Sequence, residues 1–324
     1  MKLRLLVLEV ADRCDQRCVH CQIWMGPKDG RRSLSLAERL AVVDDALAGG
    51  AREALITGGE PLLSPDLWPV AERLRQGGAR LMLATNGMLL ESVAPRVAAL
   101  FHEVYVSLDG ASAVTHDGLR GVPAFDRVLR GVAALRKQTP EVLIVARSTL
   151  HARNIQELEA MIATTRSAGF HHVSFLPLDA SSPAFGGEPE ARHPLVPSAA
   201  QVDAFEAAVG RLEAAGLLAD GFVSESADKL RRLGRHLRAS GGSVPFERPE
   251  CDAPWWSSVV EADGAVRPCF FHAEVGDVRQ GLVALRASEG YRVALEAVQA
   301  PNQACERCVC PKRRQVGLLE RLLA

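Results

Sequence analysis

Two hydrophobic rhythms alternate along the N-terminal half of the chain. Short Val-, Leu- and Ile-rich runs at Leu3–Val10, Glu53–Thr57, Arg80–Thr85, Glu103–Leu108, Val142–Leu150 and His172–Leu178 predict strands. Between them, apolar residues at helical spacing predict helices over Leu34–Ala48 (capped by Ser33), Pro65–Gln76, Ser92–Leu100, Phe125–Lys137 and Ile155–Ala168. Strand runs close on Gly, Asn or Asp, as at Gly58-Gly59, Asn86-Gly87 and Asp109-Gly110. Such alternation argues for parallel strands joined by helical crossovers. Six units do not close an eight-stranded barrel. The expected fold is α/β, a partial, open (β/α)6 TIM-like barrel.

The rhythm then stops. Asp179–Pro197, rich in Pro, Gly, Ser and Ala, reads as a mobile loop or lid. Two amphipathic helices follow, Ser198–Ala215 and Ser226–Ala239, and Gly241-Gly242 with Pro245 and Pro249 mark a boundary. Beyond it, Asp263-Gly264 turns a hairpin between SSVVEA and AVRPC. The expected domains are a barrel over residues 1–240 and a small Cys-rich hairpin/helix domain over 245–324.

Composition narrows the function. The 324 residues carry 38 basic and 39 acidic side chains, net −1, so no electrostatic footprint points to nucleic acid or an acidic membrane surface. The longest apolar runs fall short of the roughly 20 residues that span a bilayer, and no signal-peptide pattern opens the chain. A reducing, cytoplasmic setting is expected, where eight cysteines mean metal or catalytic use.

Cys14, Cys18 and Cys21 stand at C-x3-C-x2-C spacing just after the first strand. Three thiols are odd for disulfides and one short of the usual zinc or iron–sulfur set. They would suit a [4Fe–4S] cluster with one iron open; the rivals are buried core thiols or a zinc knuckle lacking its fourth ligand. Gly59 and Glu60, Asn86, Ser107, Asp109 and Arg147 all fall near the C-terminal ends of strands, where ligands collect in α/β barrels. Arg147 is a charge in an apolar strand and needs a partner. Either a structural carboxylate or a bound carboxylate, gripped bidentately, would serve. In the second domain Cys251, Cys269, Cys305 and Cys308 supply four soft ligands suited to zinc or iron–sulfur, leaving Cys310 over.

The cysteine loop, with GGEP at Gly58–Pro61, Thr85-Asn86-Gly87 and Ser107-Leu108-Asp109-Gly110, resembles the radical S-adenosylmethionine (SAM) superfamily. That resemblance places a [4Fe–4S] cluster on Cys14, Cys18 and Cys21, with SAM on its open iron. It implies that Gly59 and Glu60 bind the methionyl end and Asn86 lies in the SAM site. Ser107 and Asp109 would face the ribose or the reacting centre, Arg147 would clamp SAM's carboxylate, and His20 and Phe175–Leu178 would lie near adenine. C-x17-C with a later C-x2-C resembles SPASM and twitch extensions, implying an auxiliary [4Fe–4S] cluster on Cys251, Cys269, Cys305 and Cys308. Cys310 is then a candidate hydrogen-atom donor for an epimerase, and Trp255, Trp256, Phe270, Phe271 and His272 are candidates to line the substrate space.

The resemblance also implies reductive SAM cleavage, hydrogen-atom abstraction from a substrate C–H bond and electron supply by a flavodoxin- or ferredoxin-type donor. The expected substrate is a small polar metabolite (sugar, aminocyclitol or nucleoside) that is dehydrogenated or epimerised. The first predicted strand starts two residues into the chain, so no N-terminal peptide-recognition extension is expected, which favours the small metabolite. The alternatives are a peptide maturase forming a thioether, a carbon–carbon crosslink or a D-residue, and a non-catalytic iron or zinc sensor.

Overall fold

The first strand, β1 (Leu5–Ala11), shows how sequence period becomes architecture. Leu6, Leu8 and Val10 pack outward into the helices, while Leu5 and Val7 turn inward with Met82 and Val259. The computed structural model describes residues 2–25, 32–138, 141–182, 184–185 and 189–312. After β1 come α1 (Leu36–Ala48), β2 (Glu53–Gly58), α2 (Leu67–Gln76), β3 (Arg80–Thr85), α3 (Leu90–Leu100) and β4 (Glu103–Ser107). Then follow α4 (Ala113–Arg120), α5 (Phe125–Gln138), β5 (Leu143–Leu150), α6 (Leu158–Ser167) and β6 (His172–Pro177). The order β6-β5-β4-β3-β2-β1 is parallel throughout, the expected open partial barrel.

Three local expectations change. The cap of α1 is Ser35, whose hydroxyl accepts from Glu38 N while the Glu38 carboxylate reaches back to Ser35 N. Ser33 instead donates to Asp12. The helix α2 starts at Leu67, later than the periodicity indicated, and a 3-10 turn at Pro61–Leu63 precedes it. The helix α4 was not foreseen: its buried positions are His116, Leu119 and Arg120, which make no apolar stripe.

The helices α7 (Ala199–Ala214) and α8 (Ala227–Ser240) lie where the pattern put them, capped by Ser198 and Ser226. Next come α9 (Ala253–Trp256), β7 (Ser257–Val260), β8 (Ala265–Arg267) and β9 (Gly276–Asp277). The hairpin turns at Gly264, whose φ of 101° suits glycine. Its first strand does something the sequence did not announce. It pairs in parallel with β1, Leu5↔Ser257 through Leu8↔Val260, so one nine-stranded sheet runs from the barrel into the Cys-rich region. The last described helices are α10 (Leu282–Ala287), α11 (Glu289–Gln299) and α12 (Gln303–Glu306). Within the expected lid, Pro189–Leu195 is a 3-10 helix that buries Arg192; residues 183 and 186–188 lie outside the described residues, as do 313–324 of the expected second domain. Among the described residues no helix is long and apolar enough to cross a membrane.

Candidate active site

The loop after β1 is held by backbone bonds from a distance. Arg17 N donates to Arg120 O (2.9 Å) and Val19 N to Leu119 O (3.0 Å), both carbonyls at the C-terminal end of α4. Gly121 ends that helix at φ 71°, and a Cβ there would come within 2.6 Å of Arg17 O. Gly59 meets the loop's other side, where a Cβ would stand 2.2 Å from Arg13 O. Only glycine permits either approach. The result brings Cys14, Cys18 and Cys21 onto the wall of one cavity of about 290 Å3, which Gly59, Asn86, Ser107, Arg147 and His20 also line. Burial raises the pKa of all three thiols, Cys21 to about 11. Left alone they stay protonated; a bound iron's charge removes the proton. Three soft donors on the wall of one cavity, with Asn86, Ser107 and Arg147 beside them, fit the iron–sulfur and SAM expectation.

The other predicted residues of the barrel stand on that wall or behind it. The Glu60 carboxylate is fully buried and accepts from Leu62 N (3.0 Å), Thr85 Oγ1 (2.7 Å) and Asn86 N (2.7 Å). Burial lifts it to about 7 against those donors. It ties the GGEP turn to the end of β3 and does not line the cavity. Asn86 donates through Nδ2 to Asp15 (2.6 Å) and toward Cys14 Sγ (3.7 Å), so its amide is engaged with the cysteine loop. Phe175 is core; its neighbours Leu176, Pro177 and Leu178 reach the cavity.

Asp109 also stands behind the wall. It is fully buried, accepts from Thr149 N (2.8 Å) and pairs with Arg120 at 2.6 Å. Burial alone would raise it, but Arg120 holds it below the ordinary carboxylate range. His20 Nε2 is 3.8 Å from Asp109, yet burial pushes His20 down to about 3, so it lines the cavity as a neutral ring beside His151. Arg147 stacks over Tyr105 at 4.8 Å and forms no ion pair among the described residues. That removes the structural-carboxylate explanation for it. Cys310 is exposed and opens on a separate cavity of about 370 Å3, with Arg147 on the wall of both. The structure does not bring it to the wall of the cavity that the loop cysteines line.

Two residues escaped the sequence reading. Glu9, at the inward-facing end of β1, lines the main cavity, and burial with Glu261 alongside raises it to about 8. A lone Glu in the apolar run LLVLEVA was the available signal. Arg120 Nη1 lies 3.6 Å from Cys18 Sγ; nothing in its local pattern marked it.

The other four cysteines gather in the second domain. Cys251, Cys269, Cys305 and Cys308 line a cavity of about 590 Å3 with Trp255, Phe271 and His272. His272 Nε2 is 3.3 Å from Cys305 Sγ, Lys312 N donates to Cys251 Sγ (3.4 Å), and burial pushes Cys269 up to about 12. Among the described residues no three His, Cys, Asp or Glu donors converge as around a single ion, either here or at the loop cysteines. Thiols spread around a roomy cavity suit a multinuclear cluster better than zinc. Phe270 and Val309, next to Cys269 and Cys308, reach across to line the first cavity.

The chain belongs to the radical SAM superfamily, which matches residues 8–165. Residues 251–309 match SPASM, an iron–sulfur cluster-binding domain, so its cofactors are SAM, a [4Fe–4S] cluster and auxiliary iron–sulfur. It is 35% identical over 178 residues to an AdoMet-dependent heme synthase of Methanosarcina barkeri (53% of this chain, 50% of that protein). It is 30% identical over 159 residues to the mycofactocin maturase MftC of Mycobacterium tuberculosis (48% and 39%). The chain thus spans half or less of the length of these relatives. Among solved structures, SuiB of Streptococcus suis bound to S-adenosylmethionine superposes with a TM-score of 0.68 at 12% identity, covering 95% of this chain and 72% of that one, a likeness of fold.

Proposed function

We propose that this enzyme oxidises a C–H bond of a small polar substrate by two electrons, with Cys14, Cys18 and Cys21 holding the SAM-binding cluster and Cys251, Cys269, Cys305 and Cys308 an auxiliary one. When bound, the cluster and SAM supply the radical that removes the hydrogen atom. One observation carries the reading: the cavity that the loop cysteines line is also lined by Phe270 and Val309, each one residue from an auxiliary cysteine. A substrate there lies between an oxidant of C–H bonds and an electron acceptor, which favours net oxidation over epimerisation.

The chain's own residues take defined parts. Gly59, Ser107 and Arg147 line the space for SAM, and the Arg147 guanidinium is the group suited to its carboxylate. Glu9 in its ionised form is placed to take the substrate proton, and, raised to about 8, it holds that proton at neutral pH once taken. Phe270, Phe185 and Leu176 exclude water. A peptide side chain is the second reading, favoured by the likeness to a named maturase.

The test is coupling. Full-length wild type and Cys269→Ala are incubated anaerobically with SAM, reductant and a panel of sugars, aminocyclitols, nucleosides and short peptides. The wild type should give one oxidised product per 5′-deoxyadenosine. Cys269→Ala should still cleave SAM while oxidised product falls at least about tenfold, a loss of about 1.4 kcal/mol or more in the productive step. Equal product from both proteins removes the auxiliary site from the reaction.

A further inference from the structure

We propose that the buried Asp109–Arg120 pair tunes the SAM-binding cluster through Cys18, Arg120 acting as a fixed cationic donor to that sulfur and Asp109 as its anchor. Both are positioning residues. Arg120 Nη1 is 3.6 Å from Cys18 Sγ and 3.5 Å from Gln16 Oε1, which itself lies 3.6 Å from the same sulfur. The other arm of the guanidinium meets Asp109 at 2.6 Å. Asp109 cannot swing away: Thr149 N donates to its carboxylate, His116 Nδ1 accepts from its amide, and Asn154 Nδ2 donates to its carbonyl. The main chain of Arg120 accepts from Arg17, so one residue grips both the backbone and a sulfur of the cysteine loop.

The surroundings leave this pair as the dominant charges at Cys18. His20, His116 and His151 pack around it and burial holds all three neutral at pH 7. Arg192 is the other buried cation on this side, nearer His20. A structural ion pair needs no contact with a thiol, and a buried pair is weak grounds for stability in any case. What the contact adds is a positive charge and an N–H donor at a cluster sulfur, in surroundings where charge is poorly screened. Hydrogen bonds to sulfur and net charge are what protein uses to set an iron–sulfur potential. Reduction adds a negative charge to the cluster, so Arg120 favours the reduced state. Asp109 opposes it, but more weakly, because it reaches the sulfur only through Arg120.

The inference holds for any substrate, but it rests on Cys18 as a cluster ligand. Cys18→Ala checks that separately, by lost iron. The tuning itself is read as a midpoint potential by EPR-monitored redox titration of reconstituted full-length protein, following the signal that changes on adding SAM. Arg120→Gln/Asp109→Asn removes both charges and keeps size and polarity. With wild-type iron content its midpoint should move to more negative potential, and Arg120→Lys should move back toward wild type. A folded double variant with full iron and the wild-type midpoint overturns the proposal. Where the double variant does not fold, Asp109→Asn alone decides: a midpoint shifted to more positive potential supports the tuning role, and an unchanged or more negative one overturns it.

Discussion

Cys14, Cys18 and Cys21 come from one short loop gripped by distant parts of the barrel, whereas Cys251, Cys269, Cys305 and Cys308 come from three segments whose sulfurs meet polar groups of the second domain alone. The loop is tied to the end of α4 by backbone bonds, to β3 through Asn86 and to the core through Arg120. The auxiliary thiols have the His272 ring and the Val298 carbonyl at Cys305, the Lys312 and Ala253 amides at Cys251, the Phe271 amide at Cys269 and Cys310 at Cys308, all from the second domain itself. A metal centre built on a braced loop is pre-organised before iron arrives. One assembled from separate segments depends more on the cluster to complete its own fold, because metal binding there contributes folding free energy. The difference fits a division of labour: SAM must be aimed at one C–H bond, while an electron acceptor needs only proximity.

The largest effect expected from that contrast is also the simplest to read. Changing Cys14, Cys18 and Cys21 together to Ala should abolish 5′-deoxyadenosine formation and lower iron from about eight to about four per chain. The barrel should stay folded, since its braces are elsewhere. Retained SAM cleavage would break the assignment of the loop. A fall from about four iron to none would show that the second domain holds no iron–sulfur cluster, and the comparison would lose one of its members.

A smaller effect sharpens the other side. Asn302 caps α12, its side-chain carbonyl accepting from Cys305 N (2.8 Å) while Nδ2 donates to Ala297 O and Ala300 O (2.9 Å each). Asn302→Ala removes a cap worth about 1 kcal/mol. At a loosely held centre that should appear as iron lost several-fold faster to a chelator, with the SAM-binding cluster unaffected. Equal iron release from wild type and variant would mean that the auxiliary site is as firmly built as the loop.

The same contrast governs what could be read from the chain alone. The strands, the cysteine loop, the GGEP turn and the hairpin at Gly264 are local patterns, and local patterns survive in sequence. What stayed hidden depends on partners far along the chain. Arg120 reads as an ordinary cation near a helix end, and only the fold places it against Asp109 and Cys18. Glu60 and Asp109 sit in recognisable motifs, but their carboxylates point into buried networks and not at the cavity. The pairing of β7 with β1 joins residues some 250 positions apart, and no periodicity encodes such a register.

Glu9 offers the finest test, because it lies where the two sites meet. Its carboxyl is about 8 in the folded chain against an ordinary 4.5, raised by burial first and by Glu261 and Asp263 next, with Arg267 and the Ala262 amide opposing. The folded state therefore holds this proton more tightly than the unfolded chain. Stability from it is complete below about pH 4.5 and is lost as pH rises through about 8. Glu60, raised to about 7, contributes in the same direction, so the wild type alone cannot separate them. Glu9→Gln can. Between pH 6 and 8.5 the variant should lose about 1–2 kcal/mol less stability than wild type, the full shift being discounted because Glu9 is only half-buried at the cavity wall. Anaerobic chemical denaturation at the two pH values measures this. Parallel pH profiles for the two proteins would mean that Glu9 does not titrate between pH 6 and 8.5, and a carboxyl that neither takes up nor gives off a proton across that range would lose the part of proton acceptor.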